Sequence, residues 1–176
     1  MADANKIVLE IVTPRGMALS ASVDEVTAPS ITGEFGVLPG HLPVLAALKS
    51  GIVTYRQGTE SRRCAVGNGF AEVGANKLSI LTDEFAEREG IDPVVLRKEL
   101  AEIDAQVTAL FADAATEATA AEKQRVLVVR QNWIATQLEL YGDPPPATMR
   151  PSEEFGPPAP PPEDEVPQDT DRAKGA

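Results

Sequence analysis

The chain has one cysteine, Cys64, and one histidine, His41. A lone cysteine excludes an internal disulfide, and its place in an apolar run predicts a small buried side chain. A zinc site draws several ligands from these two residue types, so no metal site is expected. A Ser-His-Asp hydrolase would have to use His41, yet no nucleophile elbow accompanies it. The G-x-x-x-x-G-K-[ST] phosphate loop and the G-x-G-x-x-G fingerprint are both missing. No catalytic residue and no cofactor is expected. Aromatics are 5% of residues, so a core must rest on Val, Leu, Ile and Ala. Positive charge is also short, with 16 Lys and Arg against 27 Asp and Glu and a formal net charge of −11. That balance disfavours nucleic-acid binding, which needs a basic face to displace counterions, and adsorption on anionic lipid. No apolar run approaches the ~20 residues that span a bilayer, and no basic start leads into an apolar stretch, so neither membrane insertion nor a secretory leader is expected. The expectation is a soluble, cytoplasmic chain whose membrane association would come through a partner.

Three regions follow one another. The first, residues 1–87, holds short β-branched runs separated by Gly, Pro, Asn and Asp. Lys6 to Thr13, Met17 to Ala21, Val23 to Ala28, Val44 to Leu48, Ile52 to Gln57, Arg62 to Val66, Phe70 to Val73 and Lys77 to Thr82 all read as strands. Such spacing indicates a sandwich or barrel. Gly67-Asn68-Gly69 and Gly74-Ala75-Asn76 read as tight turns with positive φ. Gly33 to His41 reads as an irregular loop that presents Phe35, Val37 and Leu38, and apolar loops on rigid scaffolds are often functional.

The second region, residues 88–141, is helical. Asp92 fits an N-cap and Pro93 the first helical position, where its missing N–H costs nothing. Leu96, Leu100, Ile103, Val107 and Leu110 share one helix face. Leu127, Ile134, Leu138 and Tyr141 form a second stripe, with Val126, Val129 and Trp133 beside it. Two such stripes predict an antiparallel hairpin. Its turn is expected near Asp113 to Glu117, with Thr119 to Glu122 fitting a capping box. No Gly or Pro interrupts the sequence from Val94 to Tyr141, so a continuous helix is also compatible with it. The third region, residues 142–176, carries most of the 15 prolines and an acidic excess, and predicts a disordered Pro-rich tail.

Gly33-Glu34-Phe35-Gly36-Val37-Leu38-Pro39-Gly40-His41-Leu42-Pro43-Val44-Leu45 resembles the G-E-x-G-x-x-P-G-H-x-P-x-[LV] signature of the epsilon subunits of bacterial F-type ATP synthases. Gly51-Ile52-Val53, Val66 to Val73 and Lys77 to Asp83 resemble three further blocks of that family, in order. The similarity runs from about residue 5 to residue 140. It implies an α+β chain: a ten-stranded β-sandwich followed by a C-terminal α-helical hairpin.

The resemblance also implies a non-catalytic central-stalk subunit, peripheral at the cytoplasmic face of the bacterial inner membrane. Its partners would be the gamma subunit, the ring of c subunits and, when the helices extend, beta. Gly33, Glu34 and Phe35 match the family's contact with the c-ring, and a charge-assisted bond from Glu34 to a basic residue there is physically sensible. His41, Ala46 and Gly67 match positions facing gamma. The helical pair of this family restrains ATP hydrolysis when it extends, and Lys123, Arg125 and Arg130 are the candidates for an acidic segment of beta. They equally fit the solvated face of an amphipathic helix. Some members bind ATP through I-D-x-x-R-A. Ile91 and Asp92 match its opening, but Val95 holds the arginine position. Arg97 follows two residues late and so points about 200° away. Strong ATP binding is not expected. The tail departs from the family pattern and would either tether the helices or hinder their extension. The rival reading is a stand-alone small-ligand-binding β-domain with a helical dimerisation arm.

Overall fold

The structure, a computed structural model, describes residues 5–112 and 118–145. Ten strands come first: β1 (Ile7–Thr13), β2 (Gly16–Val23), β3 (Glu25–Ser30), β4 (Gly33–Val37), β5 (Val44–Leu48), β6 (Gly51–Gln57), β7 (Glu60–Val66), β8 (Gly69–Gly74), β9 (Lys77–Thr82) and β10 (Phe85–Ala86). A 3₁₀ turn (Arg88–Gly90) leads to α1 (Pro93–Ala112) and α2 (Ala118–Tyr141). The strands form two five-stranded sheets, ordered β2-β1-β9-β8-β5 and β10-β7-β6-β3-β4. This is the expected β-sandwich followed by two helices. Among the described residues no helix is long and apolar enough to cross a membrane.

Alternation builds the sandwich. Ile7, Leu9 and Ile11 of β1 are fully buried, while the residues between them point outward. β1 pairs in parallel with β9, bringing Leu9 beside Leu78 and Ile11 beside Ile80. These rungs meet Val26, Val37, Val53, Tyr55, Cys64 and Val66 from the second sheet. Each buried Val, Leu or Ile contributes about 1.5–3 kcal/mol. Cys64 packs within this core, and burial pushes its thiol up to about 12. At pH 8 only about one thiol in ten thousand would be ionised, and the thiolate is the reactive form. Labelling of Cys64 by a disulfide reagent should therefore track unfolding; rapid labelling of the native protein would contradict its burial.

The Gly74-Ala75-Asn76 turn carries its expected positive φ on Ala75 (48°) and Asn76 (57°), with Gly74 itself outside that region. Gly74 pairs with Lys77 across this two-residue turn, and such hairpins need left-handed backbone at both central residues. Gly67 and Gly69 are likewise absent from the positive-φ positions. Gly69 is required by contact instead: a Cβ there would lie 1.9 Å from the Leu81 carbonyl oxygen. Val23 ends β2, and the break before β3 is Asp24, whose carboxylate accepts the Gly58 N–H at 2.6 Å and pairs with Lys6. The segment expected as one loop from Gly33 to His41 begins as strand β4, paired with β3 from Val26–Val37 to Ser30–Gly33.

The helices cover the outer face of the second sheet. Alternation that sends Cys64 and Val66 inward sends Ala65 outward, and Ile52 and Ala86 join it. Against them pack Ile91, Leu96, Leu100 and Ile103 together with Trp133, Ile134, Leu138 and Leu140. The helices run antiparallel: Arg97 near the start of α1 meets Asp143 beyond the end of α2, and Asp104 meets Gln131. Asp92 caps α1, its Oδ1 accepting the N–H groups of Val94 (3.0 Å) and Val95 (3.3 Å). On α2 the stripe is rotated from expectation. Leu140 rather than Tyr141 closes it, and Val126 and Val129 face outward. Thr119 lies inside α2 rather than at its cap. The expected turn at 113–117 and the expected tail beyond 145 lie outside the described residues.

Candidate functional site

The β3–β4 hairpin projects a tip built around Ser30. This side chain is buried, and its Oγ donates to the Gly33 carbonyl at 2.7 Å while accepting the Thr32 N–H at 3.2 Å. Gly33 follows with φ of 123°, a conformation that L side chains rarely adopt. Ile31 is thereby held out at the apex, 67% exposed. Glu34 is exposed opposite Pro29, whereas Phe35 leans back onto the sandwich core. Of the three residues expected to meet the c-ring, Gly33 shapes the tip, Glu34 carries its charge and Phe35 anchors it. Ile31 was missed by sequence reasoning; its signal was an apolar residue between the polar turn formers Ser30 and Thr32.

Beyond β4 the chain turns at Pro39-Gly40. The Gly40 N–H donates to Asn76 Oδ1 at 2.7 Å, tying this turn to the β8–β9 hairpin. His41 is exposed, and its Nδ1 lies 2.7 Å from the Leu42 carbonyl oxygen. A carbonyl only accepts, so Nδ1 carries the proton there. The backbone N–H of His41 donates to Leu38. Ala46 sits on edge strand β5 opposite buried Ala71 and shares its inward face. Gly67 is buried, donating its N–H to the Glu84 carbonyl at 2.8 Å. A Cβ on Gly67 would stand 3.2 Å from Glu84. Ala46 is thus half-buried at the sheet edge, and Gly67 has no side chain to present.

The outward face of the first sheet does present side chains. Leu45 pairs with Glu72, Ala47 with Phe70, and Phe70 with Leu81, all on the surface away from the core. Leu45, Phe70 and Leu81 are 71%, 57% and 53% exposed. Together with Val12, Pro14 and Ala47 the last two line a shallow apolar depression. The alternation of Phe70-Ala71-Glu72-Val73 could have revealed this patch, since it places a large aromatic on the polar side of a strand.

The basic residues of α2 differ in their surroundings. Lys123 is exposed, and Arg125 is exposed beside Glu122. Arg130 is half-buried and donates through Nε to Glu99 of α1 at 2.7 Å and through Nη1 to Glu84 of the sandwich at 3.3 Å. The hydrogen bond to Glu99 is the main reason its guanidinium holds its proton more tightly than usual. Burial raises the Glu84 carboxyl above its ordinary range against the pull of Arg130 and Arg15. Ile91 is buried under the helices, Asp92 is engaged as the cap, and Arg97 is held by Asp143. Each of the three is thus already engaged within the fold.

The family model described as ATP synthase, Delta/Epsilon chain, beta-sandwich domain matches residues 6–88. An ATP synthase epsilon chain of Nitratidesulfovibrio vulgaris is 46% identical over 90 residues, 51% of this chain and 67% of the relative. That of Leptospira interrogans is 39% identical over 102 residues, covering 58% of this chain and 80% of the relative. ATP synthase epsilon chain 2 of Syntrophotalea carbinolica is 37% identical over 107 residues, 61% and 78% of the two chains. The fold is shared with a chain in the structure of the Euglena gracilis mitochondrial ATP synthase OSCP/F1/c-ring assembly. The TM-score is 0.62 at 24% identity, over 77% of this chain and 80% of that one. With more than two thirds of such relatives matched at this identity, and the sandwich and helices in place, the chain belongs to the ATP synthase epsilon chain family.

Proposed function

We propose that this chain is a non-catalytic rotor subunit that couples the c-ring of a proton-translocating ATP synthase to its catalytic head, peripheral to the cytoplasmic face of the inner membrane. The observation that carries the reading is the bare apolar face of the first sheet. Among the described residues the helices cover only the second sheet, and Leu45, Phe70 and Leu81 are exposed toward a partner. An apolar centre with a polar rim is the usual anatomy of a protein interface. The partner assigned to this face is gamma. His41 contributes from its rim, and Ala46 and Gly67 by shaping the backbone. The tip of Ile31, Gly33 and Glu34, anchored by Phe35, is assigned to the c-ring. Its exposed carboxylate suits a charge-assisted contact with a basic loop.

Co-purification tests the first assignment: tagged chain should retain gamma, and a folded chain that never does so overturns the reading. The helices are assigned the role of a brake on ATP hydrolysis through beta, with Lys123 and Arg125 the basic side chains already facing solvent. Deleting residues 92–176 should raise the ATPase rate of the assembled enzyme. An unchanged rate removes the brake and leaves the coupling role intact. ATP is not expected to bind strongly, because Asp92 is occupied as a helix cap and Ile91 is buried. Millimolar ATP should leave the helical NMR shifts of the isolated chain in place, and a saturable micromolar response would contradict this.

A further inference from the structure

We infer that Arg130 is a clasp that holds the helical pair closed on the sandwich, by bridging Glu84 of the sandwich to Glu99 of α1. Three elements meet at one guanidinium: β9–β10 through Glu84, α1 through Glu99, and α2 through Arg130 itself. Arginine suits this task because its planar fork presents several donors in fixed directions. Among the described residues, Arg130–Glu84 is the one ion pair joining the sandwich to α2.

The sandwich end of the clasp is rigid. The Glu84 carbonyl accepts the N–H of Gly67 at 2.8 Å and the Thr82 hydroxyl at 3.1 Å, which fixes the backbone from which its carboxylate rises. The apolar layer beside it is thin on the sheet side, where Ala65, Ile52 and Ala86 supply the contact. Two of these three side chains are alanines and bury little area, so docking there leans on polar bonds to a greater degree than the sandwich core does. Arg130 is also one of the residues that the brake reading would offer to beta. One guanidinium cannot serve both sets of carboxylates, so that contact requires the clasp to open first. This consequence, and not the clasp itself, rests on the proposed function.

Trp133, the chain's one tryptophan, sits buried in the helical layer three residues from Arg130 and reports its opening. Acrylamide quenching of the isolated full chain should rise about threefold between low salt and about 1 M salt, as screening weakens partly exposed pairs. Glu84→Gln and Arg130→Met should each show that raised quenching at low salt already and lose the salt response. Arg130→Met keeps most of the apolar stem, so its opening separates charge from packing. Arg130→Lys should recover part of the protection, and Glu122→Gln, remote from the clasp, none of the effect. If Glu84→Gln or Arg130→Met remains as protected and as salt-responsive as the parent, the clasp is wrong. Neither gamma nor beta is present in this measurement, so its failure leaves the brake untouched, and failure of the truncation test leaves the clasp untouched.

Discussion

Gly69→Ala should unfold the sandwich or cost about 4 kcal/mol or more, measured by denaturant melts against the parent chain, a size reserved for core or backbone disruption. The added Cβ would meet the Leu81 carbonyl oxygen at 1.9 Å, with Leu81 C and Thr82 Cα both at 2.9 Å. All three are backbone atoms of β9, the strand that pairs with β8 on one side and β1 on the other. No rotamer change can relieve such a clash. The sheet would have to part where Gly69 opposes Thr82 on one side and the buried Leu48 on the other. Against a total stability of about 5–15 kcal/mol, that is a large share. Gly74→Ala at the other end of β8 is the control. A Cβ there meets nothing within 4 Å, and its φ is not positive, so the change should stay within about 0.5 kcal/mol. Equal effects at the two positions would show that the loss comes from glycine's general flexibility, not from the approach of β9.

Gly69 also marks where the sequence is readable and where it is not. Alternation along Ile7 to Thr13 or Lys77 to Thr82 is a local signal, and those strands and their buried faces are legible from it. The parallel pairing of β1 with β9 is not, because it joins residues some seventy positions apart and leaves no mark on either run. β4 was hidden for a different reason. Glycines at Gly33 and Gly36 dilute its period, and only the ladder to β3 makes it a strand. On α2 the run Val126-Leu127-Val128-Val129 is apolar on every side and fixes no rotational phase. The observed face was therefore set by contact with Ala65 and α1. Asp92 and Pro93 were legible because capping is chemistry within a few residues. For the candidate site, Glu34 and His41 came from the family resemblance, the tip at Ser30-Ile31-Thr32 carried a local signal of its own, and the double engagement of Arg130 left no mark in the sequence. Hydrogen bonds and ion pairs over long sequence separations have no period to read.

Phe70→Asp should abolish retention of gamma by the folded chain, lowering affinity at least about a hundredfold. A loss of that size matches removal of a central aromatic hot spot. Phe70 stands at the middle of the exposed row, beside Ala47 on β5 and Leu81 on β9. A partner seated there would bury the ring and gain its area; an aspartate would instead lose its hydration, and Lys77, the base on this face of β9, is already paired with Glu10 at 2.7 Å. Glu72 and Asp83 nearby would add to its charge rather than offset it. Because Phe70 is already in water, the same change should leave the melting temperature of the isolated chain nearly unaltered. Binding lost with stability kept is the signature of an interface residue. Glu34→Gln, at the separate hairpin tip, should leave gamma bound and weaken only attachment to the ring. If Phe70→Asp still retains gamma at parental strength, the first sheet's outer face is not the docking surface. The rim at His41 would then have to carry the contact without it. Two folded variants, each losing a different partner, would establish that the sandwich holds its neighbours through two independent surfaces while its helices occupy a third.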